Sequence, residues 1–403
     1  MRARSNLRRN LVVSSREIPG ADAAAAFGRK YSGPRRVAFV VNTDRGFLTH
    51  RAVWAIALQA AGARVRVYAP DTGYALRIRE LGIEFVELDL GRESVSVMQA
   101  LYAACRILVG LIFFRPQLVF LVQTAAYTVG WPAAVLLRRC IFVRVAGGIG
   151  RALSASGGRA SSILALSLKL GARLRNVRSL FQQDADARLF IALGYAIPSR
   201  TAVVPGTGVD AAAWRPAASA PDPVTVMFVS RLYEEKGVRQ FVEIARRLGG
   251  RARFVLVGEP DSGLSTAIPR DEIEAWVADG IEWWGHRDDM PDVFASASLI
   301  VFPSRHPEGT PKTLIEAAMS GVPAIASNQP GCKVVVEDGV TGWIFDSYDV
   351  AGMAAQVERL IEDPDSLRAA ALASRERALR LFSLEVVLAS VFQAVKVPSR
   401  VAS

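Results

Sequence analysis

The stretch Phe302-Pro303-Ser304-Arg305-His306-Pro307-Glu308-Gly309-Thr310-Pro311-Lys312-Thr313-Leu314-Ile315-Glu316 decides how this chain is read. It runs from an apolar strand through a Gly/Pro loop into a helix start, with a carboxylate on each side of the loop. Thr310 is placed to act as N-cap and Pro311 suits the first helical position, which leaves the next backbone N–H groups free. Free N–H groups at a helix start, with Lys312 beside them, make a seat for a phosphate. Two carboxylates there would repel a phosphate, so Glu308 and Glu316 are expected to grip neutral hydroxyls, as on ribose and a sugar ring. The combination points to a nucleotide-sugar site.

Outward from this stretch, short apolar runs alternate with helical patterns, the signature of parallel sheets covered on both faces. Strands are expected at 37–41, 63–68, 84–87, 118–122, 141–145 and 179–182, with helices at 49–61, 96–114, 161–173 and 183–193. The run Ala217-Ala218-Ser219-Ala220-Pro221-Asp222-Pro223 reads as a linker. A second strand series follows at 224–229, 253–257, 281–284, 299–302 and 323–326, with a short edge strand at 343–345 and helix beyond. At 403 residues, 51% of them hydrophobic, the chain suits two domains of ordinary size. Two such domains place a cleft at the carboxyl ends of both sheets, where open α/β folds bind ligands.

Composition narrows the function. Three cysteines far apart and three histidines support neither a disulfide framework nor a zinc site, and a reducing cytoplasm fits. The formal charge of +11 calls for a reason. No zinc finger, RRM signature or basic-aromatic stripe supports nucleic acid as the partner. Much of the excess lies in Arg2, Arg4, Arg8, Arg9, Arg16, Arg29, Lys30, Arg35 and Arg36. Two readings stand for this arm: a polybasic segment resting on anionic lipid headgroups, or a disordered tail or misassigned start. No signal peptide is expected, because the first apolar stretch, Leu11-Val12-Val13, is too short. The run 107–114, between Arg106 and Arg115, is far below the ~20 apolar residues that span a bilayer. It reads either as a buried helix face or as a face dipping into the cytoplasmic leaflet.

Four further motifs bear on chemistry. Ser230-Arg231-Leu232-Tyr233-Glu234-Glu235-Lys236-Gly237 follows the first strand of the second series, and Arg231 and Lys236 bracket the loop as cations converging on a diphosphate would. A basic surface loop is the plain alternative. In the first series, Asn42-Thr43-Asp44-Arg45-Gly46-Phe47-Leu48-Thr49-His50-Arg51 is not G-x-G-x-x-G, which disfavours a dinucleotide cofactor. Gly46 allows close approach of a phosphate or acceptor group, and His50 either faces the cleft or packs as an ordinary histidine. Gly147-Gly148-Ile149-Gly150 permits a loop near the cleft. Cys332 reads as a small helix-start residue, with no base paired to it in sequence.

Together these features resemble the family 4 retaining glycosyltransferases. That resemblance implies the GT-B fold, two facing Rossmann-like domains with a cleft between them, from about Val37 to the C-terminal helices. The family's E-x7-E signature is similar to Glu308 through Glu316, and its S/G-R-x-x-x-x-K-G loop to Ser230 through Gly237. Phe47-Leu48-Thr49-His50-Arg51 and Pro205-Gly206-Thr207-Gly208-Val209-Asp210 resemble the subgroup acting on lipid-linked sugars in capsule, O-antigen and bacillosamine-type glycan assembly. One departure is the run 107–114, where the subgroup leads us to expect a more basic, polar helix.

Outside the resemblance lies a basic arm over 1–35; the resemblance implies an acceptor domain over 36–210, a linker over 211–223, a donor domain over 224–380, and a C-terminal helix over 381–403 packing back on the first domain. By it, Arg231 and Lys236 hold the donor diphosphate with help from Gly309, Thr310, Pro311 and Lys312. Glu316 takes the ribose, Glu308 the transferred sugar, His50 an acceptor-side or phosphate contact, and Gly46, Gly147 and Gly148 line the acceptor side. It implies no cofactor and no catalytic metal. The expected partners are a nucleotide-sugar donor, UDP-sugars first, a polyprenyl-linked saccharide acceptor and an anionic membrane surface, with the protein peripheral on the inner face of the cell membrane. Two other readings compete: a nucleotide-sugar epimerase of the same fold, which needs acid/base groups this chain barely supplies, and a non-catalytic nucleotide-sugar-binding scaffold.

Overall fold

The computed structural model describes residues 18–88, 97–146, 159–217, 221–261, 263–306 and 309–396. The first domain runs α1 (Ala21–Gly28), β1 (Arg36–Val40), α2 (Asp44–His50), α3 (Ala52–Ala60), β2 (Arg64–Ala69), α4 (Ala75–Glu80), β3 (Glu84–Glu87), α5 (Val97–Phe114), β4 (Leu118–Val122), α6 (Gln123–Leu136), β5 (Ile141–Ala146), α7 (Arg159–Arg173), β6 (Val177–Phe181), α8 (Asp184–Ala192) and β7 (Thr201–Val203). The second runs β8 (Thr225–Val229), α9 (Val238–Leu248), β9 (Arg253–Val257), α10 (Arg270–Ala278), β10 (Glu282–Trp283), α11 (Met290–Ala295), β11 (Leu299–Phe302), α12 (Lys312–Met319), β12 (Ala324–Ser327), α13 (Pro330–Val335), β13 (Gly342–Phe345), α14 (Val350–Glu362), α15 (Pro364–Phe382) and α16 (Leu384–Val395).

Both sheets are parallel, ordered β3-β2-β1-β4-β5-β6-β7 and β10-β9-β8-β11-β12-β13. Their strands are apolar on both faces because helices cover both. In the first sheet Val37 and Phe39 enter one core with α3, while Ala38 and Val40 enter another with α5 and α6. In the second, Met227 and Val229 pack beneath α12, and Val226 and Phe228 beneath α9. α9 shows why these helices form: Val238, Phe241, Val242, Ala245 and Leu248 share the buried face, and Arg246 and Arg247 lie outside. The doubly wound architecture with two Rossmann-like domains is therefore as expected from the alternation of strand and helix.

Local differences have physical causes. The helix expected over 49–61 is two helices: Thr43 caps α2 by accepting from Gly46 N at 2.9 Å, and the backbone leaves helical geometry at Arg51, where φ is −129°. Gly46 is thus small because its Cα lies against the Thr43 cap; an added Cβ would stand 2.5 Å from Thr43 Oγ1. The segment 1–35, read as a basic arm, contains α1, which packs into the first core through Ala24 and Phe27. The Phe27 and Tyr31 rings meet Phe392 of α16 at 5.4 and 4.9 Å.

The chain crosses between domains at two adjacent points. Val209 N donates to Phe382 O at 2.9 Å, and Leu384 N to Val209 O at 3.0 Å. Phe382 belongs to the second core and Leu384 to the first, so α16 completes the first domain. Among the described residues no helix is long and apolar enough to cross a membrane.

Candidate active site

In each sheet the strand order reverses between the strand that comes first in sequence and its neighbour, β1 against β4 and β8 against β11. Loops leaving these pairs diverge to opposite sides and open a crevice, the usual ligand position in such sheets. The loop 230–237 follows β8 and the loop 303–311 follows β11, so the two donor-side motifs, 65 or more residues apart in sequence, share one switch point. His50 descends from β1, and Gln123 stands where β4 ends.

The donor loops are knitted together by backbone contacts. Arg305 N and His306 N both donate to Glu235 O, at 2.8 and 3.1 Å, and Arg305 Nη2 donates to Glu234 O at 2.9 Å. Gly237 closes the turn at φ 81°, against Pro303; a Cβ there would lie 2.2 Å from Pro303 O. A positive φ and a backbone neighbour at that range admit only glycine. Arg231 and Lys236 both approach the Tyr233 ring, at 5.2 and 5.8 Å from its centroid. Arg231 also forms an ion pair with Asp261.

α12 begins at Lys312, one residue later than the capping pattern predicts. Pro311 is the cap residue, with extended ψ of 119°, and the Thr310 hydroxyl is engaged elsewhere: it donates to Gln182 O at 3.3 Å. Thr310 N also donates to Gln182 Oε1 at 3.5 Å. Gln182 follows β6 of the first domain, so Thr310 ties the domains across the cleft. Glu316 is buried, and Lys312 Nζ lies 2.5 Å from its Oε1. Gly309 opens this loop; Glu308, Gly147 and Gly148 lie outside the described residues.

On the first-domain wall His50 is partly covered. Burial, then the charges of Arg51 and Lys312, push its pKa down to about 3, so the imidazole is neutral. Three further features belong to this wall. Arg51 is buried, stacks on Trp54 at 4.4 Å and donates to His50 O at 3.0 Å, while its Nε has no hydrogen-bond partner among the described residues. Burial lowers its pKa to about 10, so it stays charged. Tyr127 is buried nearby, its phenol pushed up by desolvation. Gln123 holds φ 68° at the end of β4, a left-handed position for a non-glycine residue at the switch point. Of the three, only Arg51 stands in one of the sequence motifs, Phe47-Leu48-Thr49-His50-Arg51, and nothing local marks its burial.

Comparison with known proteins places this geometry in context. The family Glycosyl transferases group 1 matches residues 223–363, which hold both donor loops and α12. An N,N'-diacetylbacillosaminyl-diphospho-undecaprenol alpha-1,3-N-acetylgalactosaminyltransferase of Campylobacter jejuni is 28% identical over 138 residues, 34% of this chain and 35% of that protein. An alpha-maltose-1-phosphate synthase of Mycolicibacterium smegmatis is 30% identical over 213 residues, 46% of this chain and 54% of its own length. The chain thus spans between about a third and about half of the length of these relatives. Among solved structures, HepE of Anabaena in complex with UDP-glucose superposes with a TM-score of 0.70 at 17% identity, over 90% of this chain and 99% of that one. This likeness shows the fold, two facing Rossmann-like domains in the GT-B arrangement, and the family match falls on the second of them.

Proposed function

We propose that this protein is a retaining glycosyltransferase. It moves a hexose or N-acetylhexosamine from a nucleoside-diphosphate sugar, UDP-sugars first, to a polyprenyl-linked saccharide in surface polysaccharide or glycan assembly. The observation that carries this reading is the convergence of Arg231, Lys236, Lys312 and the α12 N-terminus at one switch point, inside the segment that matches the group 1 glycosyltransferases.

In this reading the donor diphosphate displaces Asp261 from Arg231 and lies between Arg231 and Lys236, with the N–H groups at the start of α12 beneath it. Glu316 accepts from the ribose hydroxyls and Glu308 from the transferred sugar. The bond from the anomeric carbon to the phosphate oxygen breaks as positive charge spreads over the ring. The fixed cations stabilise the departing diphosphate, which is electrostatic preorganisation and calls for no metal. The acceptor hydroxyl attacks from the same face, and the leaving phosphate takes its proton. Neutral His50 contacts the acceptor side or a phosphate as a hydrogen-bonding group. Thr310 and Gln182 hold the cleft closed against water.

A UDP donor is supported by the UDP-glucose complex of the fold neighbour, and a lipid-linked acceptor by the diphospho-undecaprenol acceptor of the Campylobacter relative. A lipid-linked acceptor puts the enzyme at the inner face of the cell membrane as a peripheral protein. The deciding experiment measures nucleoside diphosphate release from UDP- and GDP-sugars, with and without a polyprenyl-diphosphate saccharide, for wild type and Glu316→Ala. Acceptor-dependent release that collapses in the variant is expected. Donor conversion without diphosphate release, or tight donor binding without turnover on any acceptor, would overturn the proposal.

A further inference from the structure

We infer that the outer face of α5 is a docking surface for an anionic phospholipid bilayer; the inference rests on the proposed membrane location and gives it a place on the molecule. α5 is apolar all round. Ala103, Ile107, Leu111 and Phe114 fill the core under the first sheet. On the opposite face Met98, Leu101, Tyr102, Val109, Ile112 and Phe113 are exposed, Phe113 to 81%, Met98 to 75% and Tyr102 to 63%. Spacings of three and four keep these side chains on one stripe. A soluble helix normally turns charge outward; this one carries no acidic residue, and its only charged side chain is Arg106.

Beside the stripe lies a cavity of about 330 Å³ lined by Arg66, Tyr68, Tyr102, Arg106, Val109 and Gly110. At Gly110 the helix lets the Tyr68 ring pack against its backbone: a Cβ there would stand 2.8 Å from the Tyr68 hydroxyl oxygen. Arg66 is held by Glu84, at 2.9 and 2.6 Å, and stacks on Phe114 at 4.2 Å. Arg106 is exposed, donates to the Tyr102 hydroxyl at 3.1 Å and to Glu87 O at 3.4 Å, and meets no carboxylate among the described residues. Exposed apolar side chains around a cation at the mouth of a cavity suit a lipid surface: the stripe enters the headgroup–acyl boundary while Arg106 meets a headgroup phosphate.

A second copy of the chain fits less well. An 18-residue helix is about 27 Å long, and one exposed stripe on it offers well under the ~800 Å² per partner of a stable interface. Pairing two such faces would also leave the Arg106 side chains at the seam without a carboxylate on α5 to meet them.

The test uses the full chain and extruded phosphatidylcholine vesicles with or without roughly 30% phosphatidylglycerol, read by co-sedimentation. Wild type should bind the anionic vesicles and bind the neutral ones more weakly. Met98→Ser with Phe113→Ser should weaken anionic-vesicle binding by at least about tenfold, from the apolar area withdrawn. Arg106→Gln should weaken it several-fold on anionic vesicles and leave neutral-vesicle binding unchanged. UDP binding and melting temperature, measured on the same preparations, should match wild type, which separates a failure of docking from a failure of fold or of the transferase reading. Equal binding by all variants would overturn the inference and shift attachment to the basic N-terminus. A dimer lost in the double variant while vesicle binding persists would make the stripe an interface between copies.

Discussion

Lys312 Nζ stands 2.5 Å from Glu316 Oε1, one turn along α12, and the carboxylate is the more buried partner, 9% exposed against 28%. A lysine at the first position of a helix opposes the macrodipole, and lysine preceding glutamate at this spacing is the weaker order of the pair. Stability alone would not select it. The ammonium that would meet a donor phosphate is thus held in place by the carboxylate that would meet the ribose, and the two act as one unit.

Glu316→Gln tests that unit without emptying its space. The amide keeps the shape, and the partly exposed Lys312 is left to water, so unfolding free energy should change by no more than about 1 kcal/mol. Loss of charged hydrogen bonds worth about 1.5–3 kcal/mol should lower kcat/KM for the donor by roughly 10- to 100-fold. Steady-state kinetics beside a urea titration checks both. Unchanged kinetics would remove Glu316 from the site.

Gly237→Ala should damage the donor side through its backbone. Left-handed φ costs a side chain roughly 1–2 kcal/mol, and the clash with Pro303 O adds to it. The melting temperature of the second domain should fall by at least about 5 °C, as calorimetry would show. Since this turn also positions Lys236, donor affinity should drop with it.

Thr310→Val removes the hydroxyl bond to Gln182 while keeping shape. One such bond is worth about 0.5–1.5 kcal/mol, or roughly two- to tenfold in rate where closure matters. Acceptor-independent hydrolysis of the donor should rise relative to transfer, because the cleft opens to water more readily. The ratio of hydrolysis to transfer, by chromatography of the released sugar, reads this directly.

His50 carries a pH signature with a definite sign. Its folded pKa, about 3, lies below the unfolded 6.5, so the unfolded chain binds the extra proton first. The neutral imidazole is therefore fully compatible with the fold above pH 6.5, and stability is lost as pH falls from there towards the folded value. His50→Asn should flatten the decline in melting temperature across that acid window and leave the neutral range alone. The same neutrality means that His50 contributes no titration to the activity profile between pH 5 and 8, so wild type and His50→Gln should share their acidic limb. An acidic limb present only in wild type would refute the neutral assignment.

Much of the fold was legible in the residues. The runs at 118–122, 253–257 and 299–302 are strands with those bounds, since each is an apolar stretch, opened by Arg253 in the second, and closed by a polar or turn residue. Helix boundaries were less legible. α2 starts before its apolar pattern because Thr43 caps it, and α12 starts after the expected cap because Thr310 is drawn to Gln182, a residue 128 positions away. Burial of Arg51 and the left-handed backbone at Gln123 left no local trace, because both depend on what packs around the switch point of the first sheet.

By itself the sequence determined two series of parallel strands, the cationic loop 230–237 and the carboxylate-bearing loop 302–316, for these rest on periodicity, caps and turn residues that act over a few positions. Only the tertiary structure decided that both loops leave neighbouring strands β8 and β11, that Thr310 meets Gln182 across the cleft, that burial with the charges of Arg51 and Lys312 keeps His50 neutral, and that α5 turns an apolar stripe outward. Each of these depends on groups distant in the chain being brought within a few ångströms, where burial and charge act together.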